Sequence, residues 1–130
     1  MHRLILSFIF FFILGLSQQL FAQDNYQQWV FDITNRLNNT EQLIKENKID
    51  DAKTEVQMAY FEVFENLEGP IRINFSAQKS YQMEATFGEI RKMIGEGKPM
   101  NEVQAKINSL KNELQQVLPS LVEGHQLNAD

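Results

Sequence analysis

Apolar residues return every third or fourth position along most of this chain, the spacing of one face of an α-helix. Tyr26, Val30, Ile33, Leu37 and Ile44 form the first such stripe, with Trp29 and Leu43 widening it, and predict a helix over about 25–46. Asn47-Lys48 breaks the pattern. Asp50 is a good N-cap for a second helix, and Asp51 suits its first turn. Ala52, Val56, Ala59, Tyr60, Val63 and Leu67 form its expected buried stripe, and Gly69-Pro70 is the expected stop. A third helix is expected to begin within 71–76 and run to Ile94. Its apolar face carries Ile73, Tyr81, Met83, Phe87, Ile90 and Ile94, and Gly95-Glu96-Gly97 ends it. Pro99 suits the first turn of a fourth helix. Val103, Ile107, Leu110, Leu114, Val117 and Leu121 then repeat without interruption, with Pro119 expected to kink or fray the last turn. Residues 123–130 show no pattern and read as a flexible tail. No segment alternates with period two long enough to propose a strand. Short connections favour antiparallel neighbours, so the expected fold is all-α, an up-down-up-down four-helix bundle over residues 23–122.

The first 22 residues follow a different rule. His2 and Arg3 are a basic start, Leu4 to Leu16 is almost wholly Leu, Ile and Phe, and Ser17-Gln18-Gln19 turns polar before Phe21-Ala22. That order is a secretory signal peptide, with cleavage expected after Ala22. The apolar stretch is short of the roughly 20 residues that a spanning helix needs. The expected location is therefore periplasmic, the alternative being a domain anchored by an uncleaved N-terminal segment. Membrane association is expected only through that segment or through a partner.

Charge and composition narrow the function classes. Losing Arg3 takes the 12 basic residues to 11 against 17 acids, a net charge near −6 for the exported part. An acidic domain is a poor nucleic-acid binder, and cations or basic proteins are easier partners. The chain has no cysteine, hence no disulfide, thiolate metal site or cysteine nucleophile. No Ser-His-acid set, metal-activated water motif or phosphate-binding glycine loop is recognisable, so no enzyme activity is expected. Haem is not expected either: Cys-x-x-Cys-His is absent, and His125 is the single histidine after residue 22.

Two constellations carry the candidate chemistry. At 100° per residue, Glu84 and Arg91 share a direction with Tyr81 and Phe87, so two charges lie on or beside an apolar stripe, with Gly88 leaving space between them. Buried charge needs partners. One reading is a structural polar core of Glu84 and Arg91 steadied by the Tyr60 or Tyr81 hydroxyl. The other makes Glu84 a metal ligand inside the bundle. The second constellation is Glu62, Glu65 and Glu68, three residues apart along one ridge. It reads as a solvated face, or as a hard-oxygen cation site suited to ferric iron, calcium or manganese. Phe61, on the same side as Glu62, is not needed for the core. Phe61, Phe64 and Glu62 are the expected partner-binding residues.

The order Ala59-Tyr60-Phe61, Phe64-Glu65, Glu68-Gly69-Pro70-Ile71-Arg72, then Met83-Glu84-Ala85, Phe87-Gly88 and Ile90-Arg91 resembles a known module. It is similar to the extracytoplasmic N-terminal helical domain of the bacterial high-affinity iron permease family, over residues 51–94. The resemblance implies an extracytoplasmic helical domain serving iron uptake. Its partner would be the membrane iron permease or a periplasmic iron-handling protein. It also implies that Glu65, Glu68 and Glu84 are the residues to test for iron. The permease's membrane helices carry Arg-Glu-x-x-Glu motifs, which are absent here, so transport itself is not implied. A structural helical adaptor that binds another protein and no metal is the competing expectation.

Overall fold

The computed structural model describes residues 25–129, with side chains as far as Gly124. The expected signal segment lies outside the described residues. The described chain is all-α and consists of four helices. Helix α1 covers residues 25–45. Helix α2 is continuous through three stretches: Ile49–Met58, a π-helical turn at Ala59–Phe64, and Glu65–Asn74. Helix α3 is Ala77–Gly95 and helix α4 is Met100–Ala129. Among the described residues, no helix is long and apolar enough to cross a membrane.

The stripes read from spacing become one continuous core. Val30, Ile33 and Leu37 of α1 meet Val56, Val63 and Leu67 of α2, and Met83, Ile90 and Ile94 of α3. The α4 repeat from Val103 to Leu121 is buried throughout. Each large aliphatic side chain so buried stabilises the fold by about 1.5–3 kcal/mol. Polar contacts at the rim hold the helices together laterally. Arg36 of α1 reaches Glu62 of α2 at 2.8 Å, and Lys111 of α4 pairs with Asn38 and Glu41 of α1. Lys79 of α3 lies 2.9 Å from Glu113 of α4. That buried Glu113 oxygen lacks a well-directed hydrogen bond, so charge pairing with Lys79 is what satisfies it.

Helix ends depart from expectation where packing outweighs local preference. The α1–α2 turn places Asn47 at φ 60, a left-handed conformation that Asn tolerates. Helix α2 starts one residue before Asp50, whose carboxylate sits in the first turn with Asp51 instead of capping. The expected stop at Gly69-Pro70 is not one, since α2 runs on to Asn74. A proline inside a helix costs roughly 3 kcal/mol. Fully buried Ile71, just beyond it, offsets most of that, and the Asn74 amide donates to the Pro70 carbonyl at 3.0 Å. Ile73, expected on the buried face of the third helix, therefore belongs to α2 and is exposed. The α3 N-cap is Ser76, whose hydroxyl accepts from the Lys79 amide at 2.9 Å. Pro119, expected to kink or fray the last turn, lies inside α4. Leu121 beyond it is fully buried, and the helix continues through Ala129. A Cβ at Gly124 would overlap the Asn74 side chain, so glycine is what lets α4 approach the end of α2.

Candidate functional site

The π turn decides the geometry of the site. A π turn winds more residues per turn than an α-helix, so every later residue lags in phase. Phe64, on the flank of the stripe in an unbroken helix, is rotated into the core and is fully buried. The expectation that Phe64 faces a partner is therefore corrected, because no partner can reach it. Phe61 stays outside at 50% exposure. The same lag carries Glu68 to the position of Tyr60, eight residues earlier, where Glu68 Oε1 accepts from the tyrosine hydroxyl at 2.7 Å.

Glu62, Glu65 and Glu68 consequently do not share a ridge. Glu62 turns to Arg36 on α1, Glu65 is exposed, and Glu68 turns back to Tyr60 on its own helix. On α3, Glu84 is a second carboxylate near the Tyr60 hydroxyl, which donates to Glu68. Burial first, then the hydrogen bond to Glu68 and the nearby Glu84 carboxylate, push the Tyr60 phenol well above its ordinary value. The structure thus brings together two of the three expected metal ligands, with a phenol between them. Among the described residues, no three acidic or histidine side chains converge as a metal site requires.

The expected polar core of Tyr60, Tyr81 and Arg91 is also corrected. Tyr81 is 59% exposed and lies under the Arg72 guanidinium, 5.7 Å from ring centre to carbon. Arg91 is exposed and, among the described residues, pairs with no carboxylate. Glu84 and Arg91 stand two turns apart, about 10 Å along the axis, and Glu84 lies near Tyr60 instead.

Between α2 and α3 these residues frame a groove of about 270 Å³, lined by Gln57, Tyr60, Phe61, Glu84, Phe87, Gly88 and Arg91. Its apolar wall is a ring cluster. Tyr60 packs on Phe61, Phe64 and Phe87 at centroid distances of 5.0, 5.9 and 5.7 Å, and Phe64 packs on Phe87 at 4.9 Å. Gly88 is the notch, since a Cβ there would meet nothing within 4 Å. Past Gly88 and Arg91 the groove opens into a hollow of about 410 Å³ lined also by Lys53, Lys92 and Gly95.

Sequence reasoning missed Lys53, Gln57, Lys92 and Gly95. The signal was present as two facing ridges. Lys53, Gln57 and Phe61 are four apart on α2, while Glu84, Gly88, Arg91 and Gly95 are spaced four, three and four on α3. What spacing along one helix does not disclose is that these two ridges face each other.

The pH response of this site is predictable. In the unfolded chain Tyr60 ionises near its ordinary value of about 10, whereas the fold holds its proton to higher pH. The folded state then binds more protons than the unfolded one, and stability must fall as pH rises above about 10. Urea unfolding between about pH 9 and 11 should show a steeper loss for the native chain than for Tyr60→Phe. Equal slopes would mean that Tyr60 does not sit between the two carboxylates in solution.

No family model, curated protein or solved structure matches this chain. The site therefore has to be read from its own chemistry: a partly aromatic groove, acidic at one end and basic at the other, on a four-helix scaffold.

Proposed function

We propose that this chain is a non-catalytic, extracytoplasmic helical module of an iron uptake system. It folds as an up-down-up-down bundle and docks another protein on the groove between α2 and α3. One observation carries the docking role: Phe61, within the π turn, stands half-exposed at the lip of a groove whose wall is already aromatic. π turns inside α-helices occur frequently at functional sites, and aromatic anchors beside an open notch are where interfaces concentrate their binding energy. The assignment to iron uptake is supported by the likeness of residues 51–94 to the iron permease module. The proposed partner is accordingly the membrane permease or a periplasmic iron-handling protein.

A photo-crosslinking amino acid at position 61, compared with one at Gln115 on the exposed side of α4, tests this in cells that produce the chain. A discrete adduct from position 61 only, whose partner is a permease or iron-handling protein, is expected. Equal labelling from both positions, or an adduct with an unrelated protein, would remove the proposal.

A second reading rests on the oxygen cluster itself. Glu68, Tyr60 and Glu84 offer hard donors suited to ferric iron once the phenol gives up its proton. Equilibrium dialysis of the full chain against ferric and ferrous iron, with calcium and manganese as controls, decides it. Saturable iron uptake lost in Glu84→Ala, and kept in Glu65→Ala, is the expected pattern if the cluster binds metal. Uptake no greater than that of the controls would leave docking as the role of the site.

A further inference from the structure

The groove is electrostatically lopsided in a way that the chain as a whole is not. Three cations, Lys53, Arg91 and Lys92, line it and its adjoining hollow against a single lining carboxylate, Glu84. The whole chain carries a formal charge of −5. Nor is this cationic end neutralised from outside. Among the described residues neither Lys53 nor Arg91 has an ion-pair partner, and Lys92 has only a long contact of 3.9 Å to Glu96 on its own helix. Glu84 stands two turns of α3 before Arg91, at the Tyr60 end of the groove. Backbone geometry keeps the cationic end open. The aliphatic stem of Lys53 lies against α3 at Gly95, with carbons as close as 3.5 Å to where a Cβ would stand. Gly88 leaves the notch between the rings and Arg91 vacant.

An aromatic notch next to two uncompensated cations on an acidic protein defines its complement. We infer that the docked segment of the partner protein presents an apolar side chain flanked by carboxylates. The apolar group would enter the Gly88 notch against Tyr60, Phe61 and Phe87, while the carboxylate would meet Arg91 and Lys53. Arg is the cation suited to this, because its fork matches both oxygens of a carboxylate. The overall negative charge of the chain would repel an acidic partner elsewhere, so the cationic hollow also sets the register of docking. This inference rests on the docking role proposed above and adds the chemistry of what docks.

Three capped tripeptides separate the two claims: acetyl-Glu-Phe-Glu-amide, acetyl-Gln-Phe-Gln-amide and acetyl-Lys-Phe-Lys-amide. Each is titrated into the isotope-labelled full chain, following the backbone amides of Phe61, Gly88 and Arg91. The acidic peptide is expected to bind about tenfold more tightly than the neutral one, and the basic peptide most weakly. In Arg91→Gln and Lys53→Gln, which change exposed or half-exposed side chains outside the core, that preference should fall below about threefold. Equal binding of the acidic and neutral peptides would overturn the inference and leave groove docking standing. Tightest binding of the basic peptide would overturn it in favour of recognition by Glu84. Silence from all three at about 10 mM would overturn the docking role as well.

Discussion

Replacing Phe64 by alanine is expected to cost about 3–5 kcal/mol, close to the whole stability of a small domain. Phe64 is fully buried and packs on both Tyr60 and Phe87, and it belongs to the same core as Leu67 and Ile71. Alanine would lose the transfer free energy of the ring and leave a ring-sized cavity. Helices fixed by many other contacts can only partly collapse into it. It would also remove the base on which Tyr60 rests, loosening the wall of the groove from behind. Urea unfolding measured by far-ultraviolet circular dichroism checks this: the midpoint should fall steeply, or the chain should fail to fold. A loss under about 1 kcal/mol would mean that Phe64 is not in the core, and the reading of the π turn would be wrong. Phe61→Ala is the matched control, because its ring is half-exposed and its loss should be felt in docking far more than in folding.

Gly88→Leu should act in the opposite sense, abolishing docking while leaving the fold at least as stable. Gly88 is exposed in the middle of α3, with open space where a side chain would go. Glycine is about 0.8–1 kcal/mol less favourable than alanine in a helix interior, and leucine is nearly as good a helix former as alanine. The substitution therefore gains helix stability while filling the notch between the rings and Arg91. Binding of the acidic tripeptide should drop by more than about 100-fold, beyond detection, while the unfolding midpoint holds or rises. Gly88→Ala should give the same gain in stability with only a partial loss of binding. Should Gly88→Leu bind as the native chain does, the groove is not where docking occurs. Because glycine here costs helix stability while leaving the notch open, this pair of variants separates function from folding.

Much of the architecture is legible without the structure. Helical periodicity is local, and every stripe named from spacing supplies core residues. Val30, Ile33 and Leu37, Val56 and Leu67, and the α4 repeat from Val103 to Leu121 are all buried. Local signals were weaker at the ends. Gly69-Pro70 and Pro119 are strong punctuation, yet Ile71 and Leu121 lie just beyond them and are fully buried. Packing of those two side chains offsets most of a helix-breaking preference of similar size. Tyr81 failed in the other direction. It is a plausible stripe member at 100° per residue, but the core on that flank is completed by Met83 and Phe87, and Tyr81 is left under Arg72 at the surface.

The candidate site was only half visible, for a definite reason. Glu84, Gly88 and Arg91 were conspicuous because charge and glycine beside an apolar stripe conflict with a simple helix. Their partners were not. A π turn is one extra residue in a helical repeat, and its effect is a rotation of everything that follows it. No residue in Ala59–Phe64 announces it, and at constant pitch Glu62, Glu65 and Glu68 fall in line while Phe64 sits on the flank. With the rotation, they separate onto different neighbours and Phe64 enters the core. The sequence by itself thus determined that the chain is helical, where its apolar faces lie and which charges conflict with them, since these follow from spacing within one helix. Only the tertiary structure decided which face meets which. It placed Glu68 on the Tyr60 phenol with Glu84 nearby, and left Arg91 and Lys53 without ion-pair partners among the described residues. Such pairings depend on helix phase and on contacts between residues far apart in the chain, and spacing along one helix carries neither.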